Sequence, residues 1–265
     1  MRSLLAGVTA ADISTEPFPH IVIPDVLAPE LYDELAGGFP PLSRMIWTGA
    51  PDRLPNNKHY ALSARLVLEA PDMPDCWKRF LAGHSGPEFL AEVATLFEGY
   101  WPQAMLHCLD GRLIGHDVGR FSLLDPPEVW PRIRQDARFE INTPVRDRPS
   151  SVRGPHLDTP NRLFTGLFYL RAPEDDSEGG ELVLYRWREG ERWKRSIDHT
   201  VLPDEWVEEV ARIPYRANQL VLFPQGIDAL HGVGIRYPTP HVRRYVFITA
   251  ELTSPWLTVP ASVPA

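Results

Sequence analysis

The stretch that decides how this chain is expected to fold is Pro155-His156-Leu157-Asp158-Thr159-Pro160, in which a histidine and an aspartate stand two positions apart between two prolines. In an extended strand, side chains at i and i+2 point to the same face, so His156 and Asp158 can bind one metal ion together. The pair is weak evidence by itself. A chain with nine histidines and 35 acidic residues contains about one His-x-acid triplet by chance, a counting estimate.

A third potential ligand follows His156 by 75 positions. His231 comes shortly after the apolar run Leu220-Val221-Leu222-Phe223-Pro224, which predicts a buried strand. Two histidines and one carboxylate form a facial triad that is typical of non-haem Fe(II) sites and leaves coordination positions open. A bidentate 2-oxo acid can take two open positions and O₂ a third, whereas a closed structural zinc site has none. His156, Asp158 and His231 therefore predict a catalytic metal site.

A 2-oxoglutarate cosubstrate also has a distal carboxylate, which needs a guanidinium fork inside the fold. Arg244 begins a predicted strand thirteen residues after His231. Arg243 and Arg236 lie close by in the sequence, so the residues alone leave three arginines as candidates for this role.

Five short motifs occur in a definite order along the second half of the chain: His156-Leu157-Asp158, Phe168-Tyr169-Leu170, Gly179-Gly180-Glu181-Leu182-Val183-Leu184-Tyr185, His231-Gly232-Val233 and Arg244-Tyr245-Val246-Phe247. Each is weak alone, but the ordered set resembles the prolyl-hydroxylase-like branch of the Fe(II)/2-oxoglutarate-dependent dioxygenases. The resemblance covers roughly residues 138–252 and implies a double-stranded β-helix, the jelly roll that is also called cupin-like.

The resemblance implies roles for individual residues. His156, Asp158 and His231 match the iron ligands, which form the catalytic centre. Arg244 matches the arginine that pairs with the C5 carboxylate of 2-oxoglutarate, and Tyr169 matches a tyrosine that often hydrogen-bonds the same group. The implied cofactors are Fe(II), 2-oxoglutarate and O₂, and the implied reaction is hydroxylation of an unactivated C–H bond with release of succinate and CO₂.

Two departures from the family pattern leave questions open. Residues 235–240 lengthen the gap between His231 and the arginine, so Arg243 or Arg236 could replace Arg244. We favour Arg244 because Arg244-Tyr245-Val246-Phe247 keeps the family's alternation. The segment 143–154 is also longer and richer in charge and proline than the usual approach to the first histidine, so a loop that covers the substrate can differ here.

Proline and strand patterns extend the expected fold to the whole chain. The 28 prolines argue against a helical bundle. Apolar runs predict strands at 138–142, 162–170, 181–187, 220–223 and 245–252, whereas helices are expected at 29–36 and 87–98 and long loops over 40–75. We expect a mainly β protein with packing helices from the N-terminal part. The predicted single domain, 1–265, comprises a helix- and loop-rich cover at 1–137, a double-stranded β-helix core at 138–252 and a tail at 253–265.

Charge and composition limit the partners. The net charge is −8 and no run of Lys or Arg exceeds two residues, so nucleic acid is not an expected partner. The apolar runs are too short for a membrane span and the N-terminus does not resemble a signal peptide, so we expect a soluble cytoplasmic protein. A small-molecule substrate is favoured: an amino acid, a sugar or a natural-product intermediate. The alternatives are a protein or peptide substrate and a non-oxidative, cupin-type binding protein, and the oligomeric state stays open.

Overall fold

In the residues that the structure describes, ten strands form two β-sheets that enclose a cavity between them. The structure, a computed structural model, describes residues 2–46, 54–121, 125–189 and 201–257. Its strands are β1 (Ile21–Ile23), β2 (His59–Leu62), β3 (Val118–Arg120), β4 (Ile133–Asn142), β5 (Arg162–Tyr169), β6 (Leu182–Trp187), β7 (Val207–Ile213), β8 (Gln219–Pro224), β9 (His231–Val233) and β10 (Arg243–Leu252).

The sheets have the strand order of a jelly roll. The large sheet runs β1-β8-β5-β10-β4-β2, with β3 added in parallel to β4, and the small sheet runs β7-β6-β9. A backbone bridge between His156 and His231 extends the small sheet past β9. The prediction of a mainly β, jelly-roll fold is therefore confirmed.

Strand β10 lies at the centre of the large sheet and determines which side chains face the cavity. Tyr245 of β10 pairs with Glu140 of β4 on one side and with Tyr169 of β5 on the other. Because side chains alternate along a strand, odd-numbered residues of β10 face the same side as Tyr245, and even-numbered residues face away from it. This alternation decides which arginine of the Arg243-Arg244 pair enters the cavity.

In the residues that the structure describes, six α-helices precede strand β4, and α4 packs on the outer face of the large sheet. They are α1 (Pro29–Gly37), α2 (Leu42–Met45), α3 (Ala64–Glu69), α4 (Asp75–His84), α5 (Pro87–Leu96) and α6 (Gln103–His107). The main contact comes from α4, where the ring centroid of Trp77 lies 4.5 Å from that of Phe139 and the centroid of Phe80 lies 5.5 Å from that of Phe168. Burial of such aromatic side chains contributes roughly 1.5–3 kcal/mol each.

Several sequence predictions differ from the observed elements. The helices predicted from Pro29 and Pro87 are present, but residues 40–75, which were expected to be loops, contain α2, β2 and α3. Helix α3 is held by local and tertiary contacts, since Ser63 caps its first turn and the Ala64 amide donates to Asp136 Oδ1 over 2.9 Å. Strand β7, most of whose residues are not buried, was not predicted.

Both predicted boundaries of the core are crossed by contacts. Strand β4 begins at Ile133 rather than at 138, and its first residues pair with β3 of the N-terminal part. At the other end, Trp256 is buried and its indole N–H donates to the Arg162 carbonyl over 2.7 Å. The rest of the predicted tail, residues 258–265, lies outside the described residues. In the described part of the chain, no helix is long and apolar enough to cross a membrane.

Candidate metal centre

Three potential ligand side chains meet beside β9, at the edge of the small sheet. His156 and His231 are held side by side by two backbone hydrogen bonds, of 2.8 Å and 3.1 Å, between their own amides and carbonyls. The Nε2 atom of His156 lies 3.9 Å from Asp158 Oδ1, and that of His231 lies 3.7 Å from Asp158 Oδ2. One ligand atom from each residue falls within 4.8 Å of the others, so the structure brings together the predicted triad.

Backbone carbonyls orient both imidazole rings. His156 Nδ1 lies 2.7 Å from the Gly154 carbonyl oxygen and His231 Nδ1 lies 3.0 Å from that of Ala229. A carbonyl only accepts, so each Nδ1 carries the proton and each Nε2 keeps its lone pair for a metal. Burial lowers the pKa of both histidines, which favours the neutral rings that metal binding requires.

Neighbouring donors hold both the carboxylate and the backbone carbonyl of Asp158. The hydroxyl of Thr165 donates to Asp158 Oδ2, and the Gln225 amide donates to the Asp158 carbonyl over 3.0 Å. Burial acts to raise the pKa of Asp158, but the nearby His231 and Arg162 outweigh it and hold the pKa below its ordinary value. An ionised carboxylate beside two neutral imidazoles is a donor set that fits a divalent transition metal and leaves positions open.

The triad lies in the wall of a cavity of about 310 Å³ between the two sheets. Its other lining residues are mostly polar or charged: His59, Arg138, Glu140, Asn142, Val152, Arg153, Arg162, Thr165, Leu167, Leu182, Val233, Arg243, Tyr245 and Phe247. Four guanidinium groups therefore face a space that holds two carboxylates, those of Glu140 and Asp158.

Arg243 lies at one end of this cavity inside a cage of tyrosines. Its guanidinium carbon is 5.0 Å from the ring centroid of Tyr169 and 4.9 Å from those of Tyr215 and Tyr245. The residue is 3% exposed, and among the described residues no carboxylate lies within ion-pair distance of it. The cage excludes water, and a charge pair formed there would be much stronger than one at the surface.

Unpartnered polar atoms surround the same guanidinium. Arg243 Nε, Tyr169 Oη and both amide atoms of Asn142 are buried without a hydrogen-bond partner in the described structure. Buried polar groups are normally paired, so three such residues at one end of a cavity fit a small ligand with a carboxylate. Asn142 lines the cavity and pairs in register with Arg243.

Arg244, the arginine favoured from the sequence for the cosubstrate, does not line the cavity that contains the triad. Strand β10 begins at Arg243, so Arg244 points to the outer face, where its guanidinium lies 5.2 Å from the Phe39 ring centroid. Its Nε donates to the Leu170 carbonyl over 3.2 Å. The ring of Tyr169, the other residue expected to bind the cosubstrate, is buried and packs against the Arg243 guanidinium.

Arg236, the third candidate, supports the backbone instead. Its guanidinium donates to Asn57 Oδ1 over 3.0 Å, to the Thr143 carbonyl over 3.1 Å and to the His241 carbonyl over 3.2 Å. Gly180 makes room for it: this residue has φ +75, and an added Cβ would lie 2.6 Å from Arg236 Cγ. Burial, followed by the nearby Arg243, lowers the pKa of Arg236 to about 10.

The fold is a jelly roll, and one cavity in it contains a His-x-Asp motif, a distal histidine and a buried arginine. Together these features are typical of metal-dependent oxygenases of the double-stranded β-helix type. Residues 148–249, which carry the triad and Arg243, match the sequence model of the 2OG-Fe(II) oxygenase superfamily. The predicted superfamily is thereby confirmed, and with it the implied cofactors Fe(II), 2-oxoglutarate and O₂. No curated protein sequence matches the chain.

Solved structures with similar folds include hydroxylases and other enzymes. A Pseudomonas putida prolyl-4-hydroxylase is 14% identical, with 95% of this chain and 100% of that chain covered and a TM-score of 0.44. A Trichoplax adhaerens prolyl hydroxylase in complex with a hypoxia-inducible-factor peptide is 13% identical, with 93% and 89% covered and a TM-score of 0.47. The epimerase SnoN, in complex with Fe3+, alpha ketoglutarate and nogalamycin RO, is 14% identical, with 91% and 81% covered and a TM-score of 0.47.

Proposed function

We propose that the protein is an Fe(II)- and 2-oxoglutarate-dependent oxygenase that hydroxylates an unactivated C–H bond of a small molecule and releases succinate and CO₂. The observation that carries this proposal is that one cavity contains both the triad and a caged, carboxylate-free arginine, Arg243. A metal-binding protein without a cosubstrate needs the first feature but not the second.

In this proposal, Nε2 of His156, Nε2 of His231 and the Asp158 carboxylate hold Fe(II). When bound together with 2-oxoglutarate and O₂, the metal supplies the oxidising power for attack on a C–H bond. Asp158 supports hydroxylation rather than halogenation, because halogenases related to this superfamily have a small residue in place of the carboxylate. Thr165 holds this carboxylate in one orientation, and Gln225 holds the Asp158 backbone through its carbonyl.

Arg243 is the residue that we propose for the distal carboxylate of 2-oxoglutarate, in place of Arg244. The Tyr169 hydroxyl and the Asn142 amide, both unpartnered, lie at the same end of the cavity and can donate to the cosubstrate. Strong burial favours this pairing, because a guanidinium already removed from water gives up little further solvation when the carboxylate arrives.

The size of the cavity supports a small-molecule substrate. About 310 Å³ is at the lower end of the range for ligand pockets, and 2-oxoglutarate occupies part of it. The space that remains between the triad and the cavity mouth accepts a compact molecule. A protein or peptide substrate is the second possibility, and it would have to insert a single side chain here.

An anaerobic titration of the Fe(II)-loaded protein with 2-oxoglutarate tests the proposal. We expect a visible charge-transfer band for the chelate in the wild type, and no band in His231→Ala, which lacks one metal ligand. A wild-type protein that binds Fe(II) but never gives the band would refute the oxygenase proposal and favour a cupin-type binding protein.

The product assay addresses the reaction. Succinate release in air, with a panel of small metabolites and with a proline-containing peptide, should be stimulated by one or more of the small molecules. Stimulation by the peptide alone would overturn the small-molecule substrate, and the mass of the product distinguishes hydroxylation, which adds one oxygen atom, from desaturation or ring closure.

A further inference from the structure

The cavity contains a second buried guanidinium without a carboxylate partner, far from Arg243. Arg162 is 6% exposed, lines the cavity at the triad end, and has no carboxylate within ion-pair distance among the residues that the structure describes. Its Nη1 donates to Thr249 Oγ1 over 3.0 Å, and its guanidinium carbon lies 5.0 Å from the Phe247 ring centroid. These contacts orient the guanidinium. Arg162 is near enough to Asp158 to lower the pKa of that carboxyl, but no carboxylate in the described structure forms an ion pair with Arg162.

The other cavity arginines are accounted for. The guanidinium carbon of Arg138 lies 4.6 Å from the same Phe247 ring centroid, and its Nε donates to Glu140 Oε1 over 2.7 Å. Arg153, which is partly exposed at the mouth, lies 3.6 Å from Asp158 Oδ1. Among the four cavity arginines, Arg138 and Arg153 have carboxylate partners, whereas Arg162 and Arg243 have none in the described structure.

One cosubstrate cannot satisfy both unmatched arginines. Phe247, over which Arg162 lies, is four residues beyond Arg243 on the same face of β10, a separation of about 13 Å at roughly 3.4 Å per residue. In the proposed function, one carboxylate of 2-oxoglutarate binds the metal and the other binds Arg243. The metal and the cosubstrate have opposite charges of equal size, so their binding adds no net negative charge to the cavity and supplies no ion-pair partner for Arg162.

We propose that Arg162 binds an acidic group of the primary substrate, which is therefore a small organic acid with a carboxylate or phosphate group. This inference rests on the proposed function, because it takes the acid bound at Arg162 to be the molecule that the oxygenase oxidises. The anion site itself does not depend on iron. The Arg153 guanidinium at the mouth adds a second cation close to the path by which the acid enters. A buried guanidinium fork and an anion form the strong, bidentate kind of hydrogen-bonded pair.

The test compares matched acids and neutral molecules on protein loaded with Fe(II) and saturating 2-oxoglutarate without O₂. The probes are benzoate against benzamide, hexanoate against hexanamide, and phenyl phosphate against phenol, with affinity measured by calorimetry. At least one acid should bind tenfold or more tightly than its neutral partner, and the pair concerned distinguishes a carboxylate from a phosphate ligand. Equal affinities within all three pairs would overturn the inference.

Variants assign the preference to Arg162. Arg162→Gln should reduce the acid preference to about twofold, Arg162→Lys should retain part of it, and the surface control Arg186→Gln, which loses the same charge, should retain all of it. An undiminished preference in Arg162→Gln would show that another group holds the anion. Loss of 2-oxoglutarate binding in Arg162→Gln would instead assign Arg162 to the cosubstrate.

The two proposals fail in different ways. If the wild type gives no charge-transfer band with 2-oxoglutarate, the oxygenase proposal fails, yet the acid preference can still be measured on the metal-free protein. If the band forms but no acid is preferred, the cosubstrate site stands and the organic-acid inference is wrong.

Discussion

Replacement of Arg243 by methionine should abolish tight binding of 2-oxoglutarate while leaving the fold intact. Methionine has a similar length and fills the space between Tyr169, Tyr215 and Tyr245 without a charge. Loss of one partner of a buried, hydrogen-bonded charge pair costs about 2–5 kcal/mol. This range corresponds to an affinity for 2-oxoglutarate that is about 30-fold to several thousandfold weaker.

The matched control is Arg244→Met, one residue further along the same strand. Arg244 faces Phe39 and the Leu170 carbonyl on the outer side of the sheet, so its loss should change the 2-oxoglutarate affinity by no more than about threefold. It should lower the free energy of unfolding by about 1–2 kcal/mol, because a cation–π contact and a charged hydrogen bond disappear.

The assay is the anaerobic titration with 2-oxoglutarate, followed by the charge-transfer band and repeated by calorimetry without iron. Arg243→Lys should bind with intermediate affinity, since it keeps the charge but not the planar fork. The reasoning fails if Arg243→Met, shown to be folded by its thermal transition, binds 2-oxoglutarate like the wild type. A larger loss in Arg244→Met than in Arg243→Met would restore the arginine favoured by the sequence.

Three further predictions concern the supports of the site. Gly180→Ala should lower the free energy of unfolding by about 2–4 kcal/mol, because φ is positive there and the new Cβ clashes with Arg236. Gly37→Ala is the control and should not destabilise the protein, because no atom lies within 4 Å of its new Cβ. Equal denaturant midpoints for the two variants would contradict this prediction. Thr165→Val, which removes the donor to Asp158, should weaken Fe(II) binding about tenfold or more in a metal competition titration, and a change below twofold would refute that role. Burial lowers the pKa of His84 to about 4, below its value of 6.5 in the unfolded chain. Its contribution of about 3 kcal/mol to the free energy of unfolding is therefore complete above pH 6.5 and is lost as the pH falls towards 4. His84→Gln should lose stability less steeply in acid denaturation, and a pH profile identical to that of the wild type would show that His84 is not responsible.

The metal triad could be predicted from sequence because its chemistry is local or ordered. His156 and Asp158 stand two apart in an extended segment, and His231 follows a strand that is apolar throughout. Neither feature depends on how the strands pair. The structure adds the carbonyls of Gly154 and Ala229, which set the imidazole tautomers, and these depend on the bridge between two segments far apart in the chain.

The sequence could not show which arginine faces the cavity, because Arg243 and Arg244 are adjacent and point to opposite faces. The answer depends on the register of β10 against β4 and β5, which places Arg243 beside Asn142 and Tyr245 beside Tyr169. A shift of one residue exchanges every side chain between the cavity and the helical layer. Adjacent arginines give no local signal that fixes this register, because either one continues the alternating pattern.

The charges along the inner face explain why the cavity is a binding site and not only a polar core. Arg134 pairs with Glu251 over 2.9 Å and Arg138 pairs with Glu140 over 2.7 Å, so other arginines of the large sheet have carboxylate partners. By contrast, Arg162 and Arg243 are buried and have no carboxylate as an ion-pair partner in the part of the chain that the structure describes. Desolvation of an unpaired cation destabilises a fold, and an anion bound only to the native state removes this cost. Two such cations in one cavity therefore imply two anionic groups from ligands, and 2-oxoglutarate, with one carboxylate on the metal, brings only one of them.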